Sequence, residues 1–266
     1  MKNKKLKAWA LNGLFICAAL LSSKDLFAQK TGSDRALPEF EAQYAIELFG
    51  LKAAEAHYNL SYTDTGYKFT QSTRLYGIAS VFRNDTVDAV SYIDRIGDQL
   101  LLQKHQYIQT GEEKNKNREF SIEWDRSVKP VKGTISGIVR GEQIDLQSEG
   151  PVWEALSFQI PLMIEVNENV KDYPYHAILK GEINTYHFVL TSSREIAFAT
   201  KKYQALQMVR KDPNRNRQLH IWLLPELHNI PVIIENYRDG KIHSRMQLET
   251  VKLNNEKNLN SGYRYR

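Results

Sequence analysis

Residues 40–48 read Phe-Glu-Ala-Gln-Tyr-Ala-Ile-Glu-Leu, so apolar side chains stand at every second position. Successive side chains of a β-strand point to opposite faces, and this period of two predicts a strand with one buried face. A second alternating run follows over residues 54–62 after Gly50, and Asp64-Thr65-Gly66 then reads as a turn. The opening of the chain therefore predicts paired strands joined by short turns.

Similar runs recur along the chain, separated by polar turn sequences such as Lys180-Gly181 and Asp239-Gly240. They cover residues 120–124, 134–140, 186–190, 219–224, 232–234 and 242–248. Short turns between strands favour antiparallel pairing over a parallel sheet with crossover helices. We therefore expect a mainly β fold, a curved antiparallel sheet or open half-barrel.

Two segments are typical of short helices, which we expect to lie on the concave side of the sheet. Residues 76–83 are compatible with a helical turn or two. Residues 151–160 predict a short helix with Pro151 in its first turn and Pro161 closing it.

The first 28 residues predict a cleaved signal peptide. A charged start with Lys2 to Lys7 precedes an apolar run from Ala8 to Leu21, which is shorter than the roughly 20 residues of a membrane-spanning helix. Cleavage is expected near Ala28, and the product is expected in the periplasm without an integral membrane span. The one cysteine, Cys17, lies inside the apolar run, and its neighbours do not resemble a lipidation site. Because cleavage removes Cys17, the mature chain is expected to form no disulfide.

We expect the remaining chain to divide into a linker over residues 29–39, a single β-rich domain over residues 40–252 and a disordered tail over residues 253–266. Beyond residue 28 it holds 31 basic and 30 acidic residues, a formal balance of +1. This near-neutral balance argues against nucleic-acid binding, which needs a basic face for several phosphates.

The sequence carries no signature of a cofactor or of a catalytic residue. It has no Gly-rich phosphate loop, no dinucleotide fingerprint and no Gly-x-Ser-x-Gly motif. The seven histidines are scattered singly, and His57, His187 and His243 stand on the polar side of their strands, so no metal site is predicted. A pair of carboxylates for glycoside cleavage stays open, because such residues meet in space and not in sequence.

The tryptophans are the candidate ligand-binding residues. Trp153 stands on the predicted mid-chain helix, and Trp222 lies in an apolar strand whose two faces should both be covered. A helix packed on a curved sheet can enclose an apolar cavity, and we expect Trp153 and Trp222 to border it. The alternative is that both tryptophans simply fill the core.

Residues 222–235, Trp-Leu-Leu-Pro-Glu-Leu-His-Asn-Ile-Pro-Val-Ile-Ile-Glu, resemble a stretch of the bacterial family of domain of unknown function 3108 (DUF3108). The likeness extends over about residues 40–250. It implies an exported protein of a Gram-negative envelope, with a curved antiparallel sheet similar to the lipoprotein-localisation carriers. Residues 149–153 depart from the Asp-led mid-chain pattern of that family, and the family has no catalytic residues to transfer.

Three functions remain open at this stage. The leading hypothesis is non-catalytic binding or carriage of a lipid or other apolar or amphipathic envelope molecule inside the curved sheet. The alternatives are an enzyme that acts on envelope glycans and a scaffold for another envelope protein. The sequence leaves the oligomeric state open.

Export is directly testable. We expect mass spectrometry of a periplasmic extract to find a species that begins close to residue 29, because the leader has the proportions of a cleaved signal peptide. A species that retains residues 1–28 in the membrane fraction would contradict the cleavage, and a lipid on Cys17 would show that the protein is anchored.

Overall fold

The structure, a computed structural model, describes residues 37–77, 85–111, 116–212, 216–254 and 263–264. The predicted signal peptide, most of the linker, most of the helical segment at residues 76–83 and most of the C-terminal tail lie outside these residues. The strands and helices of the described part are β1 (Phe40–Leu48), β2 (Leu51–Tyr62), β3 (Gly66–Leu75), β4 (Thr86–Ile96), β5 (Gln99–Gln109), β6 (Arg118–Asp125), β7 (Lys132–Val139), β8 (Glu142–Glu149), β9 (Val152–Trp153), α1 (Gln159–Glu165), β10 (Asp172–Leu179), β11 (Glu182–Phe198), β12 (Lys201–Asp212), β13 (Arg217–Leu224), a 3-10 turn (Pro225–Leu227), β14 (Ile230–Arg238), β15 (Lys241–Leu253) and β16 (Tyr263–Arg264).

The strands form one sheet built from two meanders. The first runs outward from β1 to β8, and the second runs from β10 back to β15, which pairs with β1. Neighbouring strands are antiparallel except for β9 and β10, which pair in parallel at the edge of the sheet. The short strand β16 pairs with β15 beside this path. The structure confirms the prediction of a mainly β, antiparallel fold.

Irregular pairing curves this sheet. The register shifts within six of the strand pairs, for example between Tyr92 and Ile93 on β4 and between Trp222 and Leu223 on β13. An extra residue on one strand bends it and increases its twist. The two ends of the sheet therefore turn inward, so that β8 contacts β11 and β9 contacts β5, and the result is a nearly closed barrel.

The helix α1 lies on the concave side of the sheet, but it begins later than predicted. Gln159 to Met163 are all buried, as expected for a helix enclosed by strands. Val152 and Trp153 instead pair with β10, so the predicted helix over residues 151–160 is wrong in its position. Pro161 falls in the first turn of α1, where its missing N–H has no intrahelical acceptor to lose. No helix within the described ranges is long and apolar enough to cross a membrane.

The turn after β13 holds the C-terminal end of α1. Asn229 adopts a positive φ of 57°. Its Nδ2 donates hydrogen bonds to the carbonyl oxygens of Met163, at 3.0 Å, and Val166, at 3.1 Å. The last carbonyls of a helix have no intrahelical partners, so this side chain supplies them. The connection fixes the interior helix against the β13–β14 turn.

Replacing Asn229 tests this connection. We expect Asn229→Gly to lower the free energy of unfolding by about 2 kcal/mol, because two hydrogen bonds are lost at about 1 kcal/mol each while glycine keeps the positive φ. Chemical denaturation measures the loss. The control is His228→Gly, which also has a positive φ, 54°, and an exposed side chain, and which should change stability much less. Equal losses in both variants would contradict the assigned role.

Candidate functional site

A cavity of about 410 Å³ lies inside the sheet. Its walls come from strands β10–β15, from β1 and β2, and from the interior segment, which we define as residues 154–165. Pockets for small molecules typically measure about 300–1,000 Å³, so this cavity is large enough for a ligand.

Most of the wall is apolar. The alternation of the strands places their inward side chains here, and Ile221 on β13 stands directly opposite Ile234 on β14, which in turn pairs with Met246 on β15. From the interior segment, the ring of Phe158 stacks on Phe188 of β11 with centroids 5.0 Å apart. The sheet and the interior segment thus present hydrocarbon and aromatic surface to the same space.

A few polar groups interrupt the wall. The hydroxyl of Tyr58 lies 3.8 Å from Sδ of Met246, and the hydroxyl of Tyr175 donates to Oε2 of Glu165 at 2.9 Å. Burial raises the pKa of both phenols, so both stay neutral at physiological pH. The guanidinium of Arg210 lies 4.6 Å from the ring centre of Tyr186, and Arg210 brings a positive charge to the wall.

Glu154 determines how the interior segment enters the cavity. Its Oε1 accepts hydrogen bonds from the backbone N–H groups of Leu156, at 2.6 Å, and Ser157, at 2.8 Å. In return, Oγ of Ser157 accepts from the backbone N–H of Glu154 at 3.0 Å. This reciprocal arrangement resembles a capping box and closes the turn that leads into α1.

The other oxygen of Glu154 faces the first meander. Its Oε2 lies 3.1 Å from Nε2 of His105 on β5 and 3.4 Å from a guanidinium nitrogen of Arg118 on β6. Nδ1 of His105 lies 3.0 Å from Oγ of Ser91 on β4. Burial lowers the pKa of His105 to about 4, so the ring is neutral at pH 7. Nε of Arg118 also donates to Nε2 of His105 at 3.4 Å, and the hydroxyl of Ser91 donates to Oε1 of Glu154 at 3.4 Å, so hydrogen bonds connect all four side chains.

Ser91, His105 and Glu154 are the residue types of a hydrolytic triad, but their surroundings are those of a structural network. All three side chains are fully buried. Ser91 and His105 are not among the residues that line the cavity, so a substrate there does not reach the hydroxyl. Nucleophilic catalysis needs a serine within reach of the substrate, and Glu154 already binds the backbone of its own turn. We therefore assign this network to holding the interior segment.

Sequence reasoning missed this network because it treated the histidines as isolated residues. The sequence pattern that could have revealed the network is a polar residue at an alternating position where the strand otherwise has buried apolar residues. Ser91 stands between Ala89 and Ile93, two buried residues of β4, and His105 is its direct cross-strand partner. Because the register shifts between Tyr92 and Ile93, counting residues outward from the β4–β5 turn does not identify His105 as the partner of Ser91.

The two predicted ligand-binding tryptophans lie in different places. Trp153 is buried on β9 in register with Ala177, a residue of the cavity wall, and it therefore lies on the concave face beside the cavity. Trp222 follows Ile221 and points to the opposite face of β13, where the guanidinium of Arg194 covers its ring at 3.9 Å. Neither is among the lining residues. Ligand contact by either tryptophan stays a prediction. It is tested by measuring how tightly the Trp153→Phe and Trp222→Phe variants bind a ligand.

The charged residues around the cavity are relevant to two other functions, glycoside cleavage and metal binding. Among the described residues that line the cavity, Glu154 is the one acidic residue, whereas glycoside cleavage ordinarily uses two carboxylates. Within the described part of the chain, no group of three or more His, Cys, Asp or Glu residues is placed to hold a metal ion. The geometry of the cavity is suited to binding.

Comparisons with known proteins agree with the fold. The model of the family described as "Protein of unknown function (DUF3108)" matches residues 39–246. The structure is also similar to a crystal structure of a beta-barrel-like protein of domain of unknown function DUF1849 from Brucella abortus, with a TM-score of 0.52 and 11% sequence identity. That similarity covers 82% of this chain and 99% of the other, and at this identity it shows the fold alone. No curated protein matches the chain.

The low pKa of His105 predicts acid sensitivity. Burial lowers the pKa of His105 in the folded protein to about 4, below the ordinary histidine value of 6.5, so the unfolded chain binds a proton first as the pH falls. This contribution to stability is complete above about pH 6.5 and is lost as the pH falls toward 4, on the order of 2 kcal/mol between pH 7 and 4.5. We expect His105→Gln to lose this part of the pH dependence in denaturant titrations.

The matched control is His57→Gln, since His57 is exposed on β2. It should keep the pH dependence of the wild-type protein. The groups that face His105 are Glu154, Arg118 and the Ser91 hydroxyl, and they are retained in both variants. A His105→Gln protein that loses stability between pH 7 and 4.5 as the wild type does would refute the assignment.

Proposed function

The chain belongs to the DUF3108 family, and we propose that it is a non-catalytic protein that binds an apolar or amphipathic molecule of the bacterial envelope. The ligand lies in the cavity between the interior segment and strands β10–β15. The observation that carries the proposal is the cavity itself, whose wall is mainly apolar and contains few polar groups. The signal-peptide-like leader supports the periplasm as the place of binding.

The size of the cavity supports a single hydrocarbon chain. A water molecule occupies about 30 Å³ in the liquid, so about 410 Å³ corresponds to roughly 14 groups of that size. Burial of 14 methylene groups at about 0.8 kcal/mol each contributes roughly 11 kcal/mol. Association costs at least about 4 kcal/mol, which leaves about 7 kcal/mol and a dissociation constant near 10 µM.

The hydrogen bonds around Glu154 support a cavity that exists before the ligand arrives. The interior segment is held on one side by Ser91, His105 and Arg118 and on the other by Asn229. A wall that is already ordered loses little conformational entropy on binding, and this favours affinity. The buried network thus favours binding by holding the wall of the cavity in place.

Filling the cavity tests the proposal. Ala155 lines the cavity and is exposed, so Ala155→Trp adds a large ring at the wall without replacing a core side chain. We expect the wild-type protein to bind the neutral dye Nile red with a dissociation constant of roughly 10 µM, and Ala155→Trp to weaken binding by about tenfold or more. Fluorescence titration measures both constants.

The control is Ala197→Trp, because Ala197 is an exposed alanine on β11 between the buried residues Ile196 and Phe198. It should bind the dye as the wild type does, and circular dichroism should show that all three proteins are folded. A folded wild-type protein that binds no dye, or an Ala155→Trp variant of unchanged affinity, would overturn the proposal.

A further inference from the structure

The cavity wall changes from apolar to charged along strands β12, β13 and β14. Residues in register on these antiparallel strands form three successive rows on the concave face. The rows are Met208, Ile221 and Ile234, then Arg210, Leu219 and Asn236, then Arg217 and Arg238. One continuous surface is thus apolar at one end and basic at the other.

A second hollow of about 380 Å³ adjoins the cavity at the basic end. Arg210, Asn236 and Ser244 line both spaces, so the hollow and the cavity share a wall. Arg217 and Arg238 line the hollow, and none of the described residues that line it is acidic. We call this hollow the arginine groove.

The arginine groove concentrates like charges. Arg217 and Arg238 are direct cross-strand partners, which places their β-carbons about 4.5–5.5 Å apart. Like charges directly opposite each other destabilise a sheet. The second and third rows together contain Arg210, Arg217 and Arg238. An anion in the groove would offset the repulsion between them.

We propose that the ligand is a single-chain amphiphile with an anionic headgroup, a carboxylate or a phosphate, whose chain fills the cavity and whose headgroup lies in the arginine groove. This inference rests on the proposed function and specifies its ligand. Guanidinium groups bind carboxylate and phosphate with two parallel hydrogen bonds, which favours such headgroups over alcohols. The apolar row beside Ile221 receives the chain, and the row of Arg217 and Arg238 receives the charge.

Displacement of Nile red by ligands of one chain length tests the headgroup. We expect decanoate to displace the dye at roughly tenfold lower concentration than decan-1-ol, and decyltrimethylammonium to be weaker than the alcohol. Inorganic phosphate alone should not displace the dye, but at millimolar concentration it should weaken decanoate and leave decan-1-ol unchanged. The experiment with phosphate distinguishes a site for the headgroup of an amphiphile from a site for free anions.

Charge removal locates the site. In the Arg217→Gln/Arg238→Gln double variant, the preference for decanoate over decan-1-ol should fall to about threefold or less, while the affinity for decan-1-ol is kept. Lys201→Gln/Lys202→Gln is the matched control, since it removes two charges from the distant start of β12 and should keep the full preference. Loss of decan-1-ol binding as well in the double variant would mean a damaged cavity, and the arginine assignment would then fail.

The possible failures are distinguishable. Equal affinities for decanoate and decan-1-ol in the wild-type protein would overturn the headgroup proposal and leave cavity binding intact. Phosphate that binds in calorimetry as tightly as decanoate would also overturn it, because the groove would then be a site for free anions. If neither Nile red nor decan-1-ol binds, the proposed function fails, and this inference fails with it.

Discussion

The buried carboxylate of Glu154 is the constraint on which the interior of this protein depends. A carboxylate removed from water is costly unless hydrogen bonds and an opposite charge compensate it. Here the backbone of residues 156 and 157 compensates one oxygen, and His105 with Arg118 compensates the other. These partners come from β5, from β6 and from the interior segment itself. The chain can therefore cross the inside of the sheet along one path, and the cavity is the space left beside that path.

Much of the fold was predictable because the strands alternate. Half-buried strands repeat with a period of two, and this pattern correctly indicated the antiparallel sheet and several strands, including β6, β7 and β13. The mid-chain helix was placed too early because Trp153, Leu156 and Ile160 share a helical spacing, yet Val152 and Trp153 pair with β10 at the edge of the sheet. A tertiary contact there overrides the local pattern, and Pro161 lies in the first turn of a helix that the sequence predicted it would end.

The candidate site was less predictable, and the reason is geometric. The cavity wall combines residues as distant in sequence as Ile46 and Met246, which become neighbours only when β1 pairs with β15. Register shifts add to the difficulty, because a single extra residue moves every later side chain to the other face. Trp222 illustrates the point, since its strand is apolar on both faces and only the structure shows that Ile221 is the residue facing the cavity.

The pairing of β1 with β15 joins residues as far apart as Glu41 and Lys252, whereas most other pairs join strands that follow each other in the chain. Each meander can form by local hairpin closure, but this central pair requires a loop of about 200 residues to close, at a correspondingly larger entropic cost. In a protein made from its N-terminus, β1 is synthesised first and waits for a partner that is synthesised near the end. Until β15 arrives, one edge of β1 remains unpaired, and an unpaired edge is a template for pairing with another chain. The pair that joins the two meanders is therefore also the place where the unfinished chain is most exposed to aggregation.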